Sequence, residues 1–134
     1  MAMKRPSGNL LSRRSYRTFA VLWGLVAGGL LLLPGSRLPG KEISEPWVTA
    51  VELLVHLVLF WILAWLAGRG YADRFALVGH ESAWRARRRR VLAVVLAYCV
   101  VLEIAQIAVP GRGFEFLDIA VGGLGAVLGL HESA

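Results

Sequence analysis

This sequence predicts an all-α protein, a four-helix transmembrane bundle with both termini in the cytoplasm. Three observations predict it. The 134-residue chain is 57% hydrophobic with a mean hydropathy of +0.60, against roughly 45–50% apolar content in soluble domains. The apolar residues gather into four long runs separated by turn-forming or basic segments, as bilayer spans do. Lysine and arginine favour alternate connections between those runs, the asymmetry that orients a multi-pass chain. There is room for one domain.

Residues 1–18 form a polar, basic tail carrying Lys4, Arg5, Arg13, Arg14 and Arg17. The run 19–33 is the first span. A basic start followed by apolar residues also suits a secretory signal peptide. No A-x-A site follows it, so a retained helix is the better reading. Residues 34–46 (PGSRLPGKEISEP) hold three of the five prolines and read as a loop. The second span, 47–67, is apolar apart from Thr49, Glu52 and His56, and Trp47, Trp61 and Trp65 suit interfacial anchors. Residues 68–90, ending in ARRRR, read as a basic cytoplasmic loop. The third span, 91–109, is interrupted only by Glu103 and Gln106 and ends at Pro110-Gly111. The fourth, 114–130, is short.

The tail and the 68–90 segment carry twelve lysines and arginines; the 34–46 loop and the 110–113 turn carry three. That asymmetry places the tail and the basic loop inside and predicts a multi-pass protein of the plasma membrane. The net charge of +6 also raises nucleic acid as a partner. The Arg85–Arg90 run abuts a span, however, so inside retention and anionic lipid explain it, and nucleic-acid binding is rejected. The single cysteine, Cys99, excludes an internal disulfide and a cysteine-rich metal site. It reads as packing.

The polar residues inside the spans are the candidate site, because charge within a bilayer is costly. At 1.5 Å per residue, Glu52 and His56 lie about 8 and 13 Å below Trp47. On the same scale Glu103 and Gln106 lie about 9 and 5 Å below Val109, and Asp118 about 6 Å below Phe114. Three distant segments therefore set their polar groups at one level. Glu52 and His56 share a helix face at i, i+4, as do Glu103 and Gln106 at i, i+3. Arg112, in the turn above, has Glu103 or Asp118 as its expected partner. Gly122, Gly125 and Gly129 continue the Asp118 stripe and predict close helix packing. Glu115 reads as an interfacial charge. The expectation is a ligand pocket of Glu52, His56, Glu103, Gln106, Arg112 and Asp118, open to the outer face. Each residue also has a structural reading: a hydrogen-bonded histidine, an ion pair pinning the third and fourth spans, a helix N-terminal acid.

The run E-x-x-Q-x-x-x-P-G-R-x5-D-x6-G-x3-G, from Glu103 to Gly129, together with the acid-x3-His pair Glu52 and His56, resembles the VanZ-like family of small bacterial membrane proteins. The resemblance covers nearly the whole chain. It places Glu103, Gln106, Arg112, Asp118, Glu52 and His56 on the family's polar positions. Two departures stand out: Gly122 where the family usually has Asn, and Leu53 where it usually has Lys. The resemblance implies a cell-envelope role, including antibiotic (teicoplanin) resistance, and no defined reaction. A composition heavy in Arg, Ala, Leu, Val and Gly suits a high-GC bacterium.

Three functions compete. The preferred one is a non-enzymatic envelope protein that binds a lipid-linked cell-wall precursor or a lipoglycopeptide of the teicoplanin type, with no cofactor and no metal. Arg112 would face a phosphate or carboxylate. The alternative is a membrane-embedded hydrolase or transferase using His56 and the Glu/Asp cluster, with or without a divalent metal. No H-E-x-x-H, G-x-S-x-G or cysteine nucleophile is present. A proton-coupled transporter is third, and the lack of internal repeats counts against it.

Overall fold

The computed structural model describes residues 12–34, 46–71 and 81–133. Among these the chain forms four α-helices and no strand: α1 (Arg13–Leu31), α2 (Pro46–Tyr71), α3 (Glu81–Gln106) and α4 (Phe116–Glu132). The tail before Ser12, most of the 34–46 loop and residues 72–80 lie outside the described residues.

Local chemistry sets the helix ends. The Ser12 side chain accepts from the Ser15 amide at 3.3 Å and caps α1, satisfying one otherwise unpaired amide. Pro46 opens α2, where a proline's missing N–H is no loss. α3 stops at Gln106, three residues before the expected end of the third span. Val109 and Arg112 then build tight turns onto the carbonyls of Gln106 and Val109, and Gly111 takes a positive φ of 74°. That conformation costs glycine least.

The expected loop 68–90 is corrected at both ends. α2 runs on through residues 68–71, and α3 begins at Glu81 and takes in the whole arginine run. Hydropathy marks where a chain meets water, while helix propensity depends on rotamer freedom. Arg and Ala are strong helix formers, and neither Gly nor Pro interrupts 81–106. The Arg88 guanidinium lies 4.6 Å above the Trp84 ring one turn back.

α2 is the axis of the bundle and packs most extensively against α4. The reason is backbone proximity. A Cβ at Gly125 would collide with the Leu57 carbonyl oxygen, and one at Gly129 with the Trp61 carbonyl oxygen. The expected glycine stripe is thus the α2–α4 seam, and Gly122 also faces inward, against Phe60 and Cys99. Leu59, Phe60, Leu63, Ala64, Val95, Cys99, Leu102, Ala126 and Leu130 join Ala27 and Leu31 in the core.

α1 packs mainly against α2, and long side chains of α3 reach across to it. Side chains reaching for backbone carbonyls fasten it. Trp23 Nε1 donates to Leu59 O on α2 at 3.0 Å. Tyr98 Oη on α3 donates to Gly24 O at 2.5 Å, and Gln106 Nε2 donates to Leu31 O at 3.1 Å. Arg112 Nε reaches Leu33 O at 3.3 Å.

The outside of the bundle is apolar on every helix. Leu25 (69% exposed), Val51, Val94, Val101, Ile104, Ile107, Phe116 (80%) and Leu124 all face outward. Of the described helices, only α2 is long and apolar enough to cross a membrane by length and composition: Trp47–Tyr71, 25 residues, mean hydropathy 2.2. Three arginines open α1, the arginine run occupies the start of α3, and α4 has 17 residues.

Candidate functional site

The site lies at the end of the bundle where α3 gives way to α4. α2 supplies Glu52 and His56 one turn apart. The last turns of α3 supply Glu103 and Gln106. The intervening turn supplies Arg112, and the first turn of α4 supplies Asp118.

His56, Glu103 and Asp118 meet. His56 Nε2 stands 3.2 Å from Glu103 Oε1 and 3.6 Å from Asp118 Oδ2. One donor atom from each of the three residues lies within 4.8 Å of the others. On its other side His56 Nδ1 is 3.0 Å from Glu52 O. A backbone carbonyl only accepts, so Nδ1 carries a proton and donates to it. The Phe60 ring, one turn along α2, stacks beside the imidazole at a centroid distance of 6.5 Å. Glu103 Oε2 accepts from the Glu115 amide at 3.3 Å, which ties the end of α3 to the start of α4.

Arg112 takes a different partner from the two expected. Its Nη1 lies 4.0 Å from Glu52 Oε1, and its Nε donates to Leu33 O. The guanidinium therefore bridges α1 and α2 over the cluster. The Gln106 side chain is buried beside the cluster and its Nε2 donates to Leu31 O at 3.1 Å.

The polar groups are packed shut, whereas an open pocket was expected. His56, Glu103 and Gln106 are each 1% exposed and Asp118 is 6% exposed. At the rim the Glu52 side chain is the most accessible, 25% exposed, and the Arg112 and Asp118 side chains are each 9% exposed. A cavity of about 250 Å³ lies at the other end of the bundle, between Trp84, Arg88, Arg89 and Leu92 of α3 and Val127 and Leu130 of α4.

Three contributors had escaped the sequence reading. Leu33 and Glu115 act through backbone atoms, which leave no mark on residue type. Phe60 did leave a signal, its i+4 spacing from His56.

Comparison with protein-family models, curated proteins and solved structures finds no significant match to this chain.

Proposed function

We propose that the chain is an integral, multi-pass membrane protein of the bacterial plasma membrane and cell envelope, VanZ-like in character. On this reading it binds the charged head group of an envelope amphiphile at the Arg112–Glu52 rim. One observation carries it. The bundle buries His56, Glu103, Gln106 and Asp118 beside its apolar core and exposes large apolar side chains on all four helices. Exposed apolar area on that scale needs a cover, and lipid is the cover that suits every side at once.

Helix length supports the reading. At 1.5 Å per residue α2 is about 39 Å long, α1 about 28 Å and α4 about 26 Å, against a hydrocarbon core of about 30 Å. The two shorter helices need only modest local thinning. The twelve-to-three asymmetry in basic residues then puts the 81–90 end inside and the Arg112 turn outside. At that outer surface the planar guanidinium of Arg112 suits a phosphate or carboxylate, and the part-exposed Glu52 carboxylate can accept from a sugar hydroxyl or an amide. A lipid-linked cell-wall precursor and a lipoglycopeptide of the teicoplanin type both carry such groups.

Lipid identification on natively extracted protein tests this. Wild type retains an anionic or glycosylated amphiphile that Arg112→Ala loses. Identical lipid profiles for the two proteins would refute rim binding.

A membrane-embedded hydrolase or transferase is the second reading. It is favoured by the buried imidazole of His56 set against two carboxylates, an arrangement suited to moving a proton.

A further inference from the structure

Beneath the rim, three side chains from three helices direct acceptor atoms at one another. The tautomer of His56 decides what this means. Nδ1 donates to Glu52 O, so on the neutral ring Nε2 bears a lone pair. That lone pair faces Glu103 Oε1 at 3.2 Å and Asp118 Oδ2 at 3.6 Å. His56 Nε2 and Glu103 Oε1 are both buried and neither makes a hydrogen bond.

Charge sharpens the point. Two carboxylates and a neutral imidazole carry two negative charges. Burial without compensation costs several kcal/mol per ion. Arg112 is directed at Glu52. A proton on His56 would leave one negative charge in the cluster, while a divalent cation would leave none.

We propose that His56, Glu103 and Asp118 bind a divalent first-row transition-metal ion. Donors about 2.1 Å from a shared ion stand roughly 3.0–3.4 Å apart in octahedral or tetrahedral arrangement. The histidine–glutamate separation falls in that interval, and the histidine–aspartate separation of 3.6 Å is just outside it. Two of the three ligands are already oriented by a second side-chain contact. The imidazole is fixed through Nδ1 to a backbone carbonyl, the outer contact that metal-bound histidines commonly make. Glu103 is held through Oε2 by the Glu115 amide, which leaves Oε1 for the ion. Asp118 is set by the first turn of α4. One imidazole with two carboxylates suits Zn²⁺, Mn²⁺ or Fe²⁺ better than the all-oxygen preferences of Mg²⁺ and Ca²⁺. Three protein donors also leave a coordination position for water or an anionic ligand. The assignment does not rest on the head-group reading, since an ion that only locks α2, α3 and α4 together would satisfy it.

The test is metal loading of the full chain. Wild-type protein in detergent is stripped with a chelator, reloaded with Zn²⁺ or Mn²⁺ alone, dialysed and assayed by elemental mass spectrometry. About one ion per chain is expected, with Mg²⁺ in excess failing to displace it. Asp118→Asn and His56→Gln keep size and hydrogen-bonding capacity. Each should lower the retained ion by more than roughly tenfold while circular dichroism and gel filtration match wild type. Arg112→Ala should retain the ion, which separates this result from that of the lipid experiment. Folded wild type that retains neither metal would overturn the assignment whatever the variants do. So would folded Asp118→Asn and His56→Gln proteins that load like wild type.

Discussion

Replacing Gly125 with alanine should unfasten the α2–α4 seam, and the structure gives the size of the effect. A Cβ there meets the Leu57 carbonyl oxygen head on, with the Leu57 carbonyl carbon and the Trp61 amide nitrogen each 3.1 Å away. All three are backbone atoms of α2, so no side-chain rotation relieves the clash. The overlap with the oxygen is roughly 1 Å short of a normal contact, and α4 must retreat by about that much. Overpacking of this kind costs about 1–3 kcal/mol, and an unyielding neighbour puts Gly125 near the top of the range. Gly29 is the internal control. It lies in the last turn of α1 with nothing within 4 Å of its would-be Cβ, and Gly→Ala there should be neutral or stabilise by up to about 1 kcal/mol through helix propensity. Thermal or denaturant unfolding in one detergent then compares the two variants with wild type. Opposite signs are expected, Gly125→Ala destabilised and Gly29→Ala neutral or stabilised. Wild-type stability for Gly125→Ala, or losses of equal size at both sites, would refute the backbone-contact account. The seam also places the cluster, because His56 lies next to Leu57 on α2 and Asp118 two turns before Gly125 on α4. The destabilised variant should therefore also load metal poorly.

Gln106→Leu should cost about 1 kcal/mol, because it removes the donor to Leu31 O and leaves that carbonyl unpaired. Metal retention should persist, and loss of the ion in a folded Gln106→Leu protein would show that the amide belongs to the cluster. Single-cysteine reporters in a Cys99→Ser background test the membrane topology. Positions 4 and 85 should label only from the cytoplasmic side and position 112 only from outside; labelling of 85 and 112 from one side would exclude a four-span path.

Much of the helix pattern was legible because the bilayer-like hydropathy of the runs and the Pro/Gly breaks coincide. The meeting of His56, Glu103 and Asp118 followed from simple rise-per-residue arithmetic across three antiparallel segments. The start of α3 was not legible from hydropathy, since Glu81–Arg90 is as polar as a loop yet made of strong helix formers. The partner of Arg112 was hidden for another reason. The turn at Gly111, with φ of 74°, decides where the next side chain points, and two carboxylates besides Glu52 were equally near in depth. The partner of Gln106 Nε2 was hidden because it is a main-chain oxygen on α1. Openness was overestimated because helical spacing shows which residues share a level and says nothing of how tightly the neighbouring side chains close over them.

The fastenings on α1 bear on how the molecule comes together. α1 precedes the other three described helices, yet three of the five side-chain ties made at it and just past its end come from residues 74 to 79 positions further along: Tyr98, Gln106 and Arg112. Trp23, tied to Leu59, and Arg17, tied to Gly70, close over shorter intervals of 36 and 53 residues. Before α3 is made, α1 therefore has side-chain hydrogen bonds to α2 alone, and its C-terminal end stays unlatched until the turn before α4 has been made. The earliest of the four described helices is the last to be locked, and truncation anywhere upstream of residue 112 should leave it loosely held.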